Sequence, residues 1–483
     1  MNLCDSIFQS ARHQPDHPAL IEDTRIISYR ELAELTSRWS SALQAEGLQP
    51  GDRAGICLRD SADFVIAMLA CAHAGITIVP MDWRAPAEEV IRLAGDFGTA
   101  AVLREPNAVS LATIRTLIIN EQWQQGLEAQ PKNIPPATLA EAPLILNLTS
   151  GTTGKAKGAV VSHQDYQYRL ERSIESLGDY RGCRYLSVLP LCFGGGSGFM
   201  LYHLSLGNTV IVYPTLFSAQ ELVAAVREYR ADFLFLVPTV LRWLLDLDSP
   251  TRPLFPDLRV LLTGTAPISA AEKVAVADRL CPNYWEFFST SATGRIASLS
   301  AADMDTHAGS VGQASERLNV EVVDKHDQPL PAGESGRLRC RGPGISAAYF
   351  GDPDQTNFSD KILDGWYYTG DIAHITDDGF VYVAGRADDM IIRGGENIHP
   401  GVVENVLLQH PQIGEAAVKG RASRLLGQEP VAYVVVSGQL TEAEILTYCR
   451  DKLRPNQVPV DVRLLPGLPK TAAGKVQKRK LPD

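Results

Sequence analysis

The stretch that decides how this sequence is interpreted is LTSGTTGKAKGAVVSH, at residues 148–163. Its glycines, its run of hydroxyl side chains and its two lysines predict a loop that binds phosphate groups. The stretch does not satisfy the Walker pattern G-x-x-x-x-G-K-[ST], because Lys155 is followed by Ala156, which has no hydroxyl to hold a metal ion. The segments around the loop must therefore indicate which phosphate chemistry it serves.

Length and composition narrow the class of protein. A chain of 483 residues exceeds what one hydrophobic core usually supports, so two or more domains are expected. The net charge of -11 argues against non-specific binding of nucleic acid, which needs an excess of Lys and Arg. The eight cysteines include no C-x-x-C pair, so we expect buried thiols in a reducing compartment, without zinc or disulfides.

No targeting or membrane segment is predicted. The start, MNLCDSIFQSARHQPDH, lacks a basic segment followed by an apolar one, which argues against a secretory signal. The most apolar stretch, FLFLVPTVLRWLL at 233–245, is interrupted by Pro238 and Arg242 and is too short for a membrane span. We expect a soluble, cytoplasmic protein.

Strand-like and helix-like segments alternate through most of the chain. DRAGICL (52–58) is followed by SADFVIAMLACAHAG (61–75) and then by ITIVP (76–80), and the alternation is repeated later. Short β-rich runs between helices of about 10–15 residues predict an α/β fold with parallel or mixed sheets flanked by helices.

The pattern of predicted strands and helices changes in the last third of the chain. From about residue 310, short strands separated by Gly, Pro and Asp turns predict a smaller β-rich subdomain. After Arg386, helical segments such as PGVVENVLLQH (400–410) alternate with strands in a compact set. We therefore predict a large N-terminal domain at 1–386 and a small α+β domain at 387–483.

Four motifs, in this order, resemble those of the adenylate-forming superfamily. They are TSGTTGKAKGA in the opening loop, YYTGD (367–371), GRADDMIIRGGENIHP (385–400) and PKTAAGK (469–475). The superfamily contains acyl- and aryl-CoA ligases, stand-alone acid-adenylating enzymes, non-ribosomal peptide adenylation domains and firefly luciferase. The resemblance implies that ATP converts a carboxylic acid into an acyl-adenylate with loss of pyrophosphate, and that the acyl group then passes to a thiol.

The resemblance also implies where ATP binds. The glycine-rich loop would contact the phosphates, Asp371 and Arg386 would contact the ribose hydroxyls, and the segment around Phe288 would border the adenine. The predicted ATP-binding residues are Thr149, Ser150, Gly151, Thr152, Thr153, Gly154, Lys157, Phe288, Ser291, Asp371 and Arg386.

Three further roles follow from the same resemblance. Lys475 would be the catalytic residue of the first step, because its ammonium would bridge the substrate carboxylate and the α-phosphate. Asp388 matches the hinge about which the C-terminal lid domain would rotate after adenylation. Gly394 and Gly395 would then line the tunnel of the pantetheine thiol.

The sequence departs from the family pattern at the metal-binding segment. The family usually reads Y-G-x-[ST]-E, in which the Glu holds Mg²⁺, whereas this chain reads EFFSTSATG at 286–294. Either Ala292 or Ser291 occupies the Glu position, and Glu286 lies on the wrong side of the motif. We therefore predict no protein ligand for the metal, and expect Mg²⁺ to be held by phosphates and water.

The acyl pocket is predicted to be bordered by Phe193, Val237, Gly264 and Thr265. At Gly194, relatives that activate amino acids carry an Asp that pairs with the α-ammonium, so an α-amino acid is disfavoured here. Aryl acids and short or medium acyl chains both stay open.

The leading hypothesis is an ATP-dependent acid–CoA ligase. A second hypothesis is a stand-alone ligase that loads the phosphopantetheine arm of an acyl or peptidyl carrier protein. The two acceptors differ in the 3′-phosphate of CoA, for which Lys419, Arg421 and Arg424 are candidate contacts. A third hypothesis, motivated by the missing Glu, is a nucleotide-binding pseudoenzyme. Whether the chain forms a homodimer is left open.

Overall fold

The structure is a computed structural model that describes residues 2–108, 111, 113–132, 134–137, 140–149, 157–248, 252–346, 348–350, 361–394, 396–470 and 476–482. The strands are β1 (Pro18–Glu22), β2 (Arg25–Ser28), β3 (Arg53–Cys57), β4 (Thr77–Pro80), β5 (Ala101–Arg104), β6 (Thr116–Ile118), β7 (Pro143–Thr149), β8 (Lys157–Ser162), β9 (Arg184–Ser187), β10 (Thr209–Val212), β11 (Phe233–Leu236), β12 (Val260–Thr263), β13 (Tyr284–Thr290), β14 (Gly294–Ser300), β15 (Gln313–Ala314), β16 (Asn319–Val323), β17 (Gly336–Arg341), β18 (Ala348–Phe350), β19 (Ile362–Leu363), β20 (Trp366–Ile375), β21 (Val381–Arg386), β22 (Ile391–Arg393), β23 (Glu396–Ile398), β24 (Ile413–Ser423), β25 (Gly427–Val436) and β26 (Asp461–Leu464).

The helices lie between these strands, mostly as the alternating pattern predicts. They are α1 (Cys4–His13), α2 (Tyr29–Ala45), α3 (Ala62–Ala74), α4 (Ala87–Asp96), α5 (Glu121–Leu127), α6 (His163–Leu177), α7 (Gly194–Ser205), α8 (Ala219–Glu228), α9 (Pro238–Leu245), α10 (Ala270–Arg279), α11 (Met304–His307), α12 (Pro400–Leu408) and α13 (Glu442–Lys452).

The largest sheet has nine strands in the order β15-β14-β13-β12-β11-β9-β10-β1-β2. Its central pairs, from β1 through β13, are parallel, and both edges are antiparallel. The central strands β9, β10, β11 and β12 are almost wholly buried, as is typical of parallel strands covered on both faces.

A second sheet has seven strands in the order β18-β8-β7-β4-β3-β5-β6, again with a parallel centre. The two strands that flank the glycine-rich loop, β7 and β8, pair with each other in an antiparallel hairpin. The predicted α/β fold with mixed sheets is therefore confirmed.

Two smaller sheets explain the different sequence pattern in the last third of the chain. The strands β16, β17, β19, β20 and β21 form an antiparallel sheet, which is the predicted β-rich subdomain. The strands β22 to β26 form another sheet, packed with α12 and α13 around its own core, which includes Ile391, Val403 and Val418. The exact boundary at residues 386 and 387 stays a prediction.

Local sequence signals set where many of the helices begin. A Ser or Thr side chain accepts the backbone N–H three residues later, and the acid at that position accepts the N–H of the cap, which stabilises a helix by about 1 kcal/mol. Such capping boxes are formed by Ser28 and Glu31, Ser162 and Asp165, Ser218 and Glu221, Ser269 and Glu272, and Thr441 and Glu444.

The main core lies between the two large sheets. Helix α3 is apolar on all sides and is buried there, which explains why its sequence shows no polar face. On the other face of the nine-stranded sheet, α8, α9 and α10 pack over a second core that includes Leu222, Leu241 and Val276.

Two further expectations can be compared with the structure. All eight cysteines belong to the described part of the chain, and each is a buried, free thiol. Residues 233–245 form strand β11 followed by helix α9, with Pro238 at the first turn of that helix. Among the helices that the structure describes, none combines the length and the apolar character that crossing a bilayer requires.

Candidate active site

The predicted pocket residues follow the carboxyl ends of neighbouring parallel strands. Strand β9 leads to Phe193, β11 leads to Val237, and β12 leads to Gly264 and Thr265. Because β9, β11, β12 and β13 are parallel neighbours, their carboxyl ends meet at one edge of the sheet. Ligands of open α/β sheets bind at such an edge.

The glycine run at 194–196 forms the first turn of α7, with Phe193 as the residue before it. A Cβ on Gly194 would lie 3.3 Å from Asn147 Oδ1, and a Cβ on Gly195 would lie 3.1 Å from a ring carbon of Phe235. Glycine therefore lets this helix start close to the strands, where a ligand would approach.

Asn147 is a site residue that the sequence did not reveal. Its side chain lies against Gly194, and its Nδ2 donates a hydrogen bond to the backbone oxygen of Ser291 at 3.4 Å. Asn147 thus connects β7, at the start of the phosphate loop, with the turn that carries Ser291. One Asn in the apolar run PLILNLT was its only sequence signal.

Thr265 has an unusual backbone conformation, with a φ of 73°. A β-branched residue rarely adopts positive φ, and such strain clusters at ligand-binding sites. Its Oγ1 is buried and makes no hydrogen bond. The preceding Gly264 lies against Phe287, because a Cβ there would be 2.9 Å from the Phe287 ring. The two predicted pocket residues Gly264 and Thr265 therefore lie beside the aromatic rings of the pocket.

Val237 occupies the cap position of α9 and is partly buried against both large cores. Its backbone is extended, so the chain turns from β11 into α9 at this residue. Its predicted role at the pocket border stays a prediction, supported by its position at the carboxyl edge.

Phe288 and Ala292 pack in a small apolar cluster with Ala159, Ile296 and Tyr367. Ala159 belongs to β8, which follows the phosphate loop, and Tyr367 belongs to β20, which carries Asp371. The cluster therefore joins two of the four motifs with the segment that replaces the family's metal-binding motif. Ala292, where the family has its Glu, is fully buried in this apolar setting.

The turn that carries Ser291 and Ala292 is held by a buried arginine. Arg169, on α6, donates to the backbone oxygens of Ser291, Ala292 and Gly344, and also to Ser346 Oγ. Hydrogen bonds from a charged donor are worth about 1.5–3 kcal/mol. Arg169 is a positioning residue for this segment, and the sequence did not identify it.

Asp371 and Arg386, the two predicted ribose contacts, form a pair. They are register partners on the antiparallel strands β20 and β21, and Arg386 Nη1 donates to Asp371 Oδ1 at 3.3 Å. The same nitrogen donates to the backbone oxygen of Thr369 at 2.8 Å. Asp371 is buried, so its carboxylate is held in place for a partner.

Two lysines lie close to this pair. Burial lowers the pKa of Lys361, and the positive charge of Arg386 lowers it further. Lys157, from the end of the phosphate loop, is near enough to act in the same direction, while Asp388 and Asp371 oppose it. The end of the loop, the ribose pair and Lys361 therefore lie within electrostatic reach of one another, and the sequence did not indicate Lys361 as a neighbour of the pair.

Glu286 is a buried partner of Lys273, with 2.5 Å between its Oε2 and Lys273 Nζ. Lys273 also donates to the backbone oxygen of Ser310 at 2.6 Å. Burial raises the pKa of Glu286 and Lys273 lowers it. Since a buried carboxylate with its own cation is not available to a metal, Glu286 does not replace the missing Glu.

The described residues of this segment therefore do not fit a magnesium ion held by a protein carboxylate. In either register the expected position is occupied by Ala292, which is apolar and buried, or by Ser291. Within the described segments, no group of three or more His, Cys, Asp and Glu side chains could hold a metal ion.

The predicted hinge residue, Asp388, lies between strand β21 and strand β22. Asp388 lies in a 3₁₀ turn at Ala387–Asp389, its side chain is 76% exposed, and its Oδ2 is 3.7 Å from Arg386 Nη2. Gly394 has a φ of 59° and its N–H donates to the backbone oxygen of Leu426 at 2.7 Å. An exposed hinge residue is free to change its backbone angles, and the hinge role stays a prediction.

Several predicted residues lie outside the described part of the chain. They are Lys475, Gly395, and the loop residues Ser150, Gly151, Thr152, Thr153 and Gly154. Of Thr149 the structure describes the backbone, at the end of β7. Lys470 and Val476, which flank the segment of Lys475, form an isolated β-bridge.

Comparison with known proteins identifies the family. Residues 7–350 match the model described as AMP-binding enzyme, and residues 402–475 match the AMP-binding enzyme C-terminal domain. Indoleacetate–CoA ligase of Aromatoleum aromaticum is 31% identical over 99% of this chain and 97% of its own length. A fatty acid–[acyl-carrier-protein] ligase of Streptomyces coeruleorubidus is 29% identical over 98% of this chain and 94% of its own length.

A solved structure shows the same fold throughout. The o-succinylbenzoate CoA synthetase of Bacillus subtilis, in complex with its acyl-adenylate intermediate, superposes with a TM-score of 0.90. It is 26% identical, and the match covers 99% of this chain and 98% of that one. The chain therefore belongs to the AMP-binding enzyme family, which is the adenylate-forming superfamily that its sequence motifs predict.

Proposed function

We propose that this chain is an AMP-forming acid–CoA ligase, which activates a carboxylic acid with ATP and transfers the acyl group to the thiol of CoA. One observation carries this function: the two predicted ribose contacts, Asp371 and Arg386, are register partners that form a hydrogen-bonded pair, within electrostatic reach of Lys157 and Lys361. Relatives named as acid–CoA ligases support it, because the match extends over nearly the whole of both chains.

In the first step, a carboxylate oxygen of the acid forms a bond to the α-phosphorus of ATP, and the bond to pyrophosphate breaks. Both reactants are anions, so the protein's task is positioning and charge neutralisation. Asp371 accepts hydrogen bonds from the ribose hydroxyls, and Arg386 and Lys361 supply positive charge beside it. The loop from Thr149 to Lys157 binds the phosphates, and Lys475 neutralises the charge that develops at the α-phosphate.

In the second step, the thiol sulfur forms a bond to the acyl carbon and the bond to AMP breaks. We propose that rotation about Asp388 removes Lys475 between the two steps and brings Gly394 and Gly395 to the thiol. The exposed side chain of Asp388 is compatible with this rotation, because no packed core holds that residue in place.

ATP, CoA and magnesium are the cofactors of this activity, and ATP and magnesium are the ligands named for another structure of the B. subtilis synthetase. Since Ala292 replaces the usual Glu, we propose that magnesium is held by phosphates and water here. No step above depends on a protein ligand to the metal.

A carrier protein is the second candidate acceptor, and the relative from Streptomyces coeruleorubidus, named for that acceptor, favours it. Two of the three cations predicted to contact the CoA 3′-phosphate are engaged within the small domain. Lys419 Nζ donates to the backbone oxygen of Leu481 at 3.4 Å, and Arg421 pairs with Asp461 at 3.0 Å. Arg424 is exposed.

Acid-dependent exchange of pyrophosphate into ATP tests the first step. The panel should include indoleacetate, 2-succinylbenzoate, ferulate and fatty acids of increasing length, each with Mg²⁺. We expect exchange with at least one acid, and exchange at background for all of them would favour the nucleotide-binding pseudoenzyme. The accepted acid is then offered CoA or phosphopantetheinylated carrier proteins. CoA thioester formation is expected, and transfer to a carrier protein alone would favour the second candidate.

A further inference from the structure

Two arginines lie buried beside the predicted acyl pocket with unpaired N–H groups. Arg172, on α6, is fully buried, and Arg295, on β14, is 5% exposed. In each guanidinium, Nε and Nη1 make no hydrogen bond. Arg172 Nη2 donates to the backbone oxygen of Thr293 at 2.6 Å, and Arg295 Nη2 donates to Ser173 Oγ at 3.2 Å.

No described carboxylate compensates these charges. The groups with the largest electrostatic influence on Arg295 are Tyr180 and Tyr202, and those on Arg172 are Arg169, Tyr202, Cys340 and Arg295 itself. Burial lowers the pKa of both guanidinium groups, that of Arg172 to about 10. A buried charge without a partner is strongly unfavourable, so an anion at this place would be stabilised.

Arg295 is the one of the two that the Phe287 ring connects to the predicted pocket residues. It is the register partner of Ser289 on the neighbouring strand, and its Cζ lies 5.7 Å from the centroid of the Phe287 ring. Phe287 in turn lies against Gly264, and its ring centroid is 5.4 Å from that of Phe235.

The rings of Phe287 and Phe235 form an aromatic layer that extends to the predicted pocket residue Thr265. A Cβ on Gly195 would lie 3.1 Å from Phe235 and 3.9 Å from Thr265 Cγ2. An acid whose reacting carboxylate lies near Thr265 would therefore extend along these rings, and its far end would approach Arg295.

We propose that the acid substrate carries a second anionic group, a carboxylate, at its far end, and that this group pairs with Arg295. This inference rests on the proposed ligase function and specifies its substrate class as dicarboxylic acids. Arg295 is a specificity-determining residue in this account. Arg172 adds positive charge behind it, because the two guanidinium groups are close enough to repel each other.

Matched pairs of acids test the inference. Pyrophosphate exchange is measured for linear monocarboxylic acids of four to ten carbons and for the α,ω-dicarboxylic acids of equal length. A ring-containing pair, 3-phenylpropionate and 3-(2-carboxyphenyl)propionate, is measured with them. We expect kcat/KM for the better diacids to exceed that of their monoacid partners at least about tenfold, since one buried charged pair is worth more than 1.4 kcal/mol.

Substitution of Arg295 provides the second readout. Arg295→Met keeps the length and loses the charge, and is expected to abolish the diacid preference while sparing monoacids. Arg295→Lys should retain part of it. The matched control is Arg104→Met, which removes a buried arginine from β5 in the other large sheet and should leave the diacid-to-monoacid ratio unchanged.

The outcomes separate the two proposals. If exchange with monoacids equals or exceeds exchange with diacids, the inference is overturned and the ligase function is unaffected. The same conclusion follows if a folded Arg295→Met variant keeps the wild-type diacid-to-monoacid ratio of kcat/KM. Exchange with no acid at all would overturn both. If Arg295→Met does not fold, the wild-type ratio and Arg295→Lys decide.

Discussion

Asp371 and Arg386 lie opposite each other on adjacent antiparallel strands, and Arg386 donates a hydrogen bond to the Asp371 carboxylate at 3.3 Å. Gly370 makes this arrangement possible. It has a φ of 81°, and a Cβ there would lie 2.6 Å from Arg386 Nη2.

Gly370→Ala is therefore expected to displace Arg386 and weaken ATP binding. Loss of a charged hydrogen bond costs about 1.5–3 kcal/mol, so KM for ATP should rise at least about tenfold in pyrophosphate exchange. Gly333→Ala is the matched control, because Gly333 has the same φ of 81° and nothing within 4 Å of the added Cβ. Both variants should lose similar stability, and an equal rise of KM in both would contradict the role of Arg386.

Lys475→Ala is expected to abolish adenylation and to spare thioester formation from supplied acyl-adenylate. The first half-reaction should fall about a hundredfold or more, which is the usual loss when one donor to a developing charge is removed. Lys480→Ala, which removes an exposed lysine from the same basic segment, should leave both half-reactions unchanged. Equal loss of both half-reactions in Lys475→Ala would argue against domain rotation.

Thr265→Gly is expected to leave the free energy of unfolding unchanged or to raise it by up to about 1 kcal/mol. Relief of the left-handed conformation offsets the greater backbone entropy of glycine in the unfolded chain. Thr263→Gly is the control, since Thr263 is buried in β12 and its hydroxyl donates to the Leu236 oxygen at 2.7 Å. It should cost about 2 kcal/mol, and urea unfolding that shows similar losses in both variants would contradict the strain at Thr265.

The stability of the large domain should fall as pH falls below about 6.5. Burial lowers the pKa of His163 to about 4, and its Nδ1 accepts the N–H of Leu3 at 3.1 Å. The unfolded chain binds a proton below about pH 6.5 and the folded one does not, so His163 alone removes about 1.4 kcal/mol between pH 7.5 and 5.5. His163→Asn keeps an acceptor for Leu3 and should show a weaker dependence in urea unfolding. If the unfolding free energy of His163→Asn depends on pH as strongly as that of the wild type, His163 is not the group responsible.

The helices and strands were largely readable from local pattern. Helix α2 is capped by Ser28 with Glu31 three residues later, and α3 is a mostly apolar segment that is capped at its end by Gly75. These signals depend on neighbours three or four residues apart, which the sequence shows directly. The helix at Gly194–Ser205 has no comparable local signal, because three successive glycines are typical of loops and packing against Asn147 and Phe235 depends on distant segments.

The site residues that the sequence did not reveal act through contacts between distant segments. Arg169 holds a turn more than a hundred residues away in the chain, and Lys361 lies within electrostatic reach of Asp371 and Lys157. Neither belongs to a motif with a characteristic spacing. Long side chains of this kind are ordinary surface residues until the fold buries them.

Residue types at short spacing were enough to predict the family, the alternation of strands and helices, and the motif residues expected to contact ATP. In contrast, the pairing of Glu286 with Lys273 depends on the tertiary fold, as does the position of Arg295 beside the Phe287 ring with no carboxylate from the described residues paired to it. The physical reason is strand register. A shift of one residue in β13 or β14 would turn these side chains to the opposite face, and register is set by packing across the whole sheet.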